Sequence, residues 1–383
     1  RNADWSIPCV SIKDYPRFKW RGVMVDPCRH FISVQDIKKH IDIFAGYKIN
    51  VLHLHLTDDQ GWRIEIKKYP RLTEIGGWRT EFDGTRHGGF YTQDDVREIV
   101  EYARRRAVTI IPEIELPGHS SAAIAAYPEL SCTPDEPKEV VTSWGVKEDV
   151  YCPRPETFAF LEDVFTELFD LFPSPYYHFG GDECPKTAWR NSEYCKNFAR
   201  ENGLASVDDI QDYFVAYFDN FLRQHGKTVI GWDEILDGKA TESTVVMSYR
   251  GHKPASRALD KGMKTILCPN RWCYFDYQQQ EIEDKPSNQH LFITLRKAYN
   301  WRLESQIDSA ILAKGGDGLL GLQACVWGEH IPDVAKLQLQ TYPREAAIAE
   351  TSWSATANRD WNNFKTRMPK ELRRMGFAGV NFS

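Results

Sequence analysis

The sequence predicts an α/β fold, a closed (β/α)8 (TIM) barrel with long βα loops, and three observations predict it. Short apolar runs alternate with amphipathic helical patterns along the chain, which implies parallel strands. Eight such units fill 383 residues, the length of a closed barrel rather than of an open sheet. No G-x-G-x-x-G follows the first strand, so a dinucleotide-binding sheet has no support.

The eight strand segments are "GVMVD" (22–26), "NVLHLHL" (50–56), "VTIIPEIE" (108–115), "YYHFGG" (176–181), "TVIGWDE" (228–234), "STVVMSY" (243–249), "KTILCP" (264–269) and "LLGLQACVW" (319–327). Helices are expected over about 34–47, 94–107, 156–171, 206–225, 253–262, 302–314 and 335–350. Three connections, 57–93, 127–155 and 268–301, exceed an ordinary βα loop. Barrel enzymes build their sites from such loops. Residues 1–20 read as a lead-in, 21–357 as the barrel, and 358–383 as a helical tail packed on it.

Composition excludes several classes. With 42% hydrophobic residues the chain can bury one large core. The net charge is −6 and no Lys/Arg run appears, so no nucleic-acid surface is expected. No apolar stretch approaches the roughly 18 residues of a membrane span, so no membrane insertion is expected. The opening "RNADWSIPCV" is polar and is not a signal peptide. The 12 Trp, 17 Tyr and 20 Phe fit either a Trp-rich core or a surface that stacks on sugar rings. The nine cysteines show no C-x-x-C spacing. Cys132 with Cys152, and Cys184 with Cys195, bracket polar loops and would close them as disulfides in an oxidising compartment; buried free thiols are the alternative.

Polar and aromatic residues gather at the C-terminal strand ends. In order they are Arg29; Asp58, Asp59 and Trp62; Glu115 and His119; Asp182 and Glu183; Trp232, Asp233 and Glu234; Tyr249 and Arg250; Trp272, Tyr274, Asp276 and Tyr277; and Trp327, Glu329 and His330. One such residue is commonly a helix cap or a core aromatic. Eight strand ends carrying them point to a site. His53 and His55, two apart on a strand, share a face and fit either a metal site or a hydrogen-bonded barrel interior. No third ligand has a metal spacing, so neither metal nor organic cofactor is expected.

Asp182 and Glu183 are adjacent, and adjacent residues of an extended chain point to opposite faces. A two-carboxylate glycosidase needs its pair about 5–9 Å apart across the anomeric carbon. One of the two can donate a proton while the other reaches elsewhere on the substrate. The missing nucleophile can then come from the substrate, as the carbonyl oxygen of a 2-acetamido sugar.

The run "HFGGDE" resembles the H-x-G-G-D-E signature of glycoside hydrolase family 20, the β-N-acetylhexosaminidases. The resemblance extends through "NVLHLHLTDDQGWRIEI", "PEIELPGHS", "GWDE", "YFDY" and "VWGE", in family order. It implies a retaining exo-β-N-acetylhexosaminidase that removes terminal β-linked GlcNAc, or GalNAc, from glycoconjugates or chitooligosaccharides. Substrate-assisted catalysis is the family's mechanism. By resemblance, Glu183 is the general acid/base and Asp182 orients the acetamido group. Tyr274 bonds its carbonyl, and Trp232 and Trp327 wall its pocket. Arg29 and Glu329 grip the 3- and 4-hydroxyls, Asp276 lies near the 4- and 6-hydroxyls, and His119 with Asp58 forms a relay behind Glu183. Arg21 reads as structural. A secreted, periplasmic or lysosome-like compartment is implied too. The alternatives are a member with modified specificity (6-sulfated GlcNAc, or a released disaccharide) and a non-catalytic glycan-binding barrel.

Three departures from the family pattern stand out. Tyr249 occupies a position where Trp is usual. The stretch "QQQEIEDKPSNQHLF" (278–292) lacks a further Trp. The lead-in begins where a small α/β domain would end, which suggests a remnant of the linker after it.

Overall fold

The structure is a computed structural model and describes residues 6–280 and 291–383. Eight parallel strands close a barrel in sequence order: β1 (Trp20–Val25), β2 (Val51–His55), β3 (Thr109–Leu116), β4 (Tyr176–Gly180), β5 (Thr228–Trp232), β6 (Val245–Ser248), β7 (Thr265–Leu267) and β8 (Leu319–Val326). Each lies within or against its expected segment. The seam joins β1 to β8 in parallel, with Val25 opposite Val326. Every residue of β1 and β2 is buried, as expected of strands covered on both faces.

The surrounding helices are α1 (Val34–Gly46), α2 (Gln93–Arg104), α3 (Pro155–Leu171), α4 (Ile210–Gln224), α5 (His252–Asp260), α6 (Ser309–Gly315), α7 (Val334–Thr341) and α8 (Arg344–Trp353). Local chemistry sets their starts. Ser33 caps α1 by accepting from Asp36 N at 3.1 Å. Thr92 and Asp95 form a reciprocal capping box at α2. Pro155 opens α3, where a missing N–H costs nothing. Ile37, Ile41 and Phe44 of α1 recur at helical spacing and face the barrel wall.

Strand–helix alternation fails at one link. Between β5 and β6 the chain makes only a 3-10 turn, Asp233–Asp237. The helix expected over 335–350 is two, because Pro343 interrupts it. The one expected over 302–314 shortens to a 3-10 turn, Leu303–Ser305, and α6. Beyond α8, helix α9 (Trp361–Phe377) buries Phe364, Met368 and Met375. No helix among the described residues is long and apolar enough to cross a membrane.

Charge is buried inside the barrel. His55 and Glu113 are opposite in the β2–β3 register. His55 Nδ1 lies 2.5 Å from Glu113 Oε2, and His53 Nε2 lies 3.0 Å from the same oxygen. Glu113 Oε1 accepts from Trp232 Nε1 at 2.8 Å and stands 2.8 Å from His178 Nδ1. His53 and His55 are thus carboxylate-bound residues of the barrel interior. Burial opposes a charge on Glu113, yet the surrounding His178, His55 and His53 hold its carboxyl well below the usual range. Burial likewise opposes charge on His55, and Glu113 and Asp58 carry it up to about 10. Glu113→Gln places an amide NH2 against a donor on one side or the other. Breaking one partner of a buried ionic cluster costs about 3–5 kcal/mol. The expected result is a denaturation midpoint lowered accordingly, and an unchanged midpoint would contradict this role for Glu113.

Candidate active site

A cavity of about 280 Å³ opens at the C-terminal end of the barrel, lined by residues from all eight strand ends, Asp182, Glu183, Trp232 and Trp327 among them. Ten of the eleven expected site residues line it: Arg29, Asp58, His119, Asp182, Glu183, Trp232, Tyr249, Tyr274, Trp327 and Glu329. Asp276 does not. The turn in which Tyr277 N donates to Tyr274 O at 3.3 Å puts those two rings on the cavity side. Asp276 is buried, and its backbone carbonyl accepts from Gln340. The Trp-free stretch 278–292 falls mostly on 281–290, outside the described residues.

The adjacent acids do not diverge as an extended chain would send them. Gly180, Gly181 and Glu183 have φ of 70°, 87° and 39°, so the chain coils at the end of β4. Asp182 Oδ2 and Glu183 Oε2 both come within 3.7 Å of His119 Nε2. They differ in burial: Asp182 is 8% exposed, whereas the Glu183 side chain is 49% exposed at the rim. His119 is itself held at φ 48°. Strained backbone of this kind persists where the surroundings over-determine it.

His119 links two carboxylate layers. Its Nδ1 is 3.2 Å from Asp59 Oδ2 and 3.4 Å from Asp58 Oδ1. Asp59 is pinned in turn by Ser121 N and Oγ. Burial opposes the imidazolium, but Asp58 and Asp182 raise the His119 pKa well above its usual value. Asp182 titrates at about 6, pushed up by burial against the pull of His119 and with a further push from Glu183.

Four rings form the far wall. Trp232 and Trp327 stand 5.7 Å apart, Tyr249 stacks on Tyr274 at 6.1 Å, and Tyr274 meets Trp327 edge-on at 6.1 Å. The Tyr249 hydroxyl, which a Trp would lack, donates to Glu234 Oε1 at 2.6 Å. Burial, then the charge of Asp182, raises Glu234 to about 8.

At the β1–β8 seam, Arg29 is clamped before any substrate arrives. Its Nη1 meets Asp26 at 3.0 Å, its Nη2 meets Asp58 at 2.8 Å, and its Nε donates to Gln60 at 2.9 Å. A guanidinium has five N–H groups, and these partners take three of them, with His55 Nε2 a further 3.5 Å from Nη1. Trp327 stacks on its face at 5.3 Å, and Glu329 lines the same end. Arg21, by contrast, donates to the carbonyls of Lys48 and Phe18, away from the cavity.

Glu115, Tyr277 and His55 also line the cavity, and sequence reasoning left them without a role. Glu115 is buried; burial, with the charges of Asp182 and Glu113, raises its carboxyl well above the usual range. A Cβ on Gly180 would stand 1.6 Å from its Oε2, so only glycine lets this acid pack under the turn. Neither Asn270, another lining residue, nor the interior Glu113 was singled out. The signal for Glu113 was its spacing: it is two residues from Glu115, as His53 is from His55, so each pair shares one strand face.

A barrel whose strand ends carry paired acids, a sugar-sized cavity and an aromatic box defines a glycoside hydrolase. The family description "Glycosyl hydrolase family 20, catalytic domain" fits residues 18–356, and the chain belongs to that family. A β-hexosaminidase of Porphyromonas gingivalis is 45% identical over 379 residues, 98% of this chain and 48% of that one. A β-hexosaminidase of Akkermansia muciniphila is 38% identical over 94% of this chain and 74% of its own. The crystal structure of an exo-β-N-acetylglucosaminidase from Vibrio harveyi with N-acetylglucosamine superimposes with a TM-score of 0.88 at 34% identity, over 96% of this chain and 59% of that one. The chain thus spans about half the length of the P. gingivalis relative.

Proposed function

We propose that this chain carries a retaining, exo-acting β-N-acetylhexosaminidase activity on terminal β-linked GlcNAc, and on GalNAc, of glycoconjugates or chitooligosaccharides. One observation carries the reading: a buried carboxylate, Asp182, stands beside an aromatic box while its neighbour Glu183 reaches the rim. The box formed by Trp232, Tyr249, Tyr274 and Trp327 takes the 2-acetamido group. Asp182 accepts from its N–H, Tyr274 donates to its carbonyl oxygen, and that oxygen is directed at C1. Glu183 protonates the leaving oxygen as the glycosidic bond breaks, giving an oxazolinium. It then takes a proton from the water that opens the ring. Asp182, as an anion in a water-poor pocket, stabilises the cation, and His119 keeps Asp182 ionised.

Arg29 and Glu329 close the opposite end by binding the 3- and 4-hydroxyls, which leaves no room for a preceding sugar. The first products from a GlcNAc tetramer are therefore monomer and trimer, read by chromatography at low conversion. Dimer as the first product would contradict the exo assignment.

A further inference from the structure

Three cysteines far apart in sequence meet behind the active-site loops. Cys132 Sγ lies 3.6 Å from Cys195 Sγ, Cys152 Sγ lies 3.7 Å from it, and all three sulfurs lie within 4.8 Å of one another. All are free thiols, and Cys184, expected opposite Cys195, instead turns its sulfur toward its neighbour's carbonyl. Two thiolates on one zinc ion, each at the roughly 2.3 Å of a Zn–S bond and at the tetrahedral angle, stand about 3.8 Å apart. The two separations from Cys195 match two edges of that tetrahedron. We propose that Cys132, Cys152 and Cys195 form a three-thiolate site for zinc, with the fourth position toward the partly buried Cys132, the least buried of the three.

A helix start and a nearby cation favour negative charge at the cluster. Cys195 lies in the first turn of the helix Glu193–Glu201, whose cap Ser192 accepts from Cys195 N. A helix N-terminus favours the sulfur anion. The charge of Arg154 acts on both Cys152 and Cys195. Three thiolates on Zn2+ leave one net negative charge, which one guanidinium offsets. As each Zn–S bond forms, any thiol still protonated gives its proton to solvent, so uptake weakens as pH falls.

The position gives the site a task. Cys152 N donates to Leu130 O at 2.8 Å, and the adjacent Tyr151 N donates to Pro117 O at 2.9 Å, two residues before His119. Trp189, from the segment after Glu183, donates its indole N–H to Tyr151 O at 2.9 Å. Metal here would fasten the loop behind His119 to the helix that follows Asp182 and Glu183.

The test uses the full chain, reduced and stripped of metal with a chelator, then titrated with Zn2+ alone. The expected result is one tightly held equivalent and a thermal midpoint that rises with free zinc. Cd2+ in its place should give the ultraviolet thiolate-to-cadmium band at an intensity corresponding to three thiolates. Cys195→Ser and the more exposed Cys132→Ser should each lose the tight equivalent, and Cys9→Ser, on an exposed segment, should keep it. The proposal is overturned if the reduced protein takes up no stoichiometric metal or shows no such band. It is equally overturned if both cluster variants bind as the unmodified chain does. The cadmium spectrum needs no variant, so the test stands even where a substitution prevents folding.

Discussion

Glu183→Gln lowers kcat on an N-acetylhexosaminide with a poor leaving group by roughly 10²–10⁴-fold, the contribution of a positioned general acid. The side chain reaches the rim, half-exposed, where a leaving oxygen would lie. Gln keeps its size and can still donate a hydrogen bond, but it cannot transfer the proton. An aryl leaving group of low pKa needs little protonation, so its bond-breaking step loses far less. A series of aryl glycosides read by single-turnover and steady-state rates separates the two. Equal losses across the series would remove Glu183 from the acid role.

Asp182→Asn costs nearly as much, on the order of 10²–10³-fold in kcat/KM, the scale on which one preorganised electrostatic partner acts. In the proposed mechanism Asp182 transfers no proton to the leaving group; its charge and its acceptor oxygen serve the acetamido N–H and the developing cation, so sugar binding is expected to survive better than turnover. The pH profile adds a second readout. Burial places the Asp182 pKa at about 6, so the working carboxylate is present above that value and lost below it. kcat/KM of the unmodified protein therefore falls as pH drops through about 6, and the Asn variant, with nothing to protonate there, lacks that limb. A variant with unchanged turnover would contradict the role given to Asp182.

The barrel was legible because buried parallel strands read as continuous apolar runs and their helices carry a 3.6-residue period. The link between β5 and β6, where no helix is expected, was legible too: "ILDGKATES" is short and polar. The break at Pro343 was visible in the sequence and was overridden by the apolar periodicity on either side. At the site, motif positions gave the residue types but not their directions. The convergence of Asp182 and Glu183 on His119 depends on positive φ at three positions, which the Gly-Gly pair only hinted at. Asp276 and Tyr277 are neighbours, and a single turn decides which of them faces the cavity. The cysteine cluster draws on three segments, 128–132, 150–154 and 192–196. Loop spacing therefore brings Cys132 to Cys152, which do meet, but sets Cys195 beside Cys184 rather than beside those two.

The central claim is that the nucleophile belongs to the substrate, and one comparison tests it most directly. Two aryl β-glycosides with the same leaving group are assayed, one of GlcNAc and one of glucose. The two differ only at C2. A preorganised internal nucleophile brings an effective molarity of about 10⁵ M or more, and the glucoside has none. The account predicts rapid hydrolysis of the N-acetylglucosaminide and no measurable turnover of the glucoside. Comparable rates on the two would mean that a protein carboxylate attacks C1 and would contradict the account.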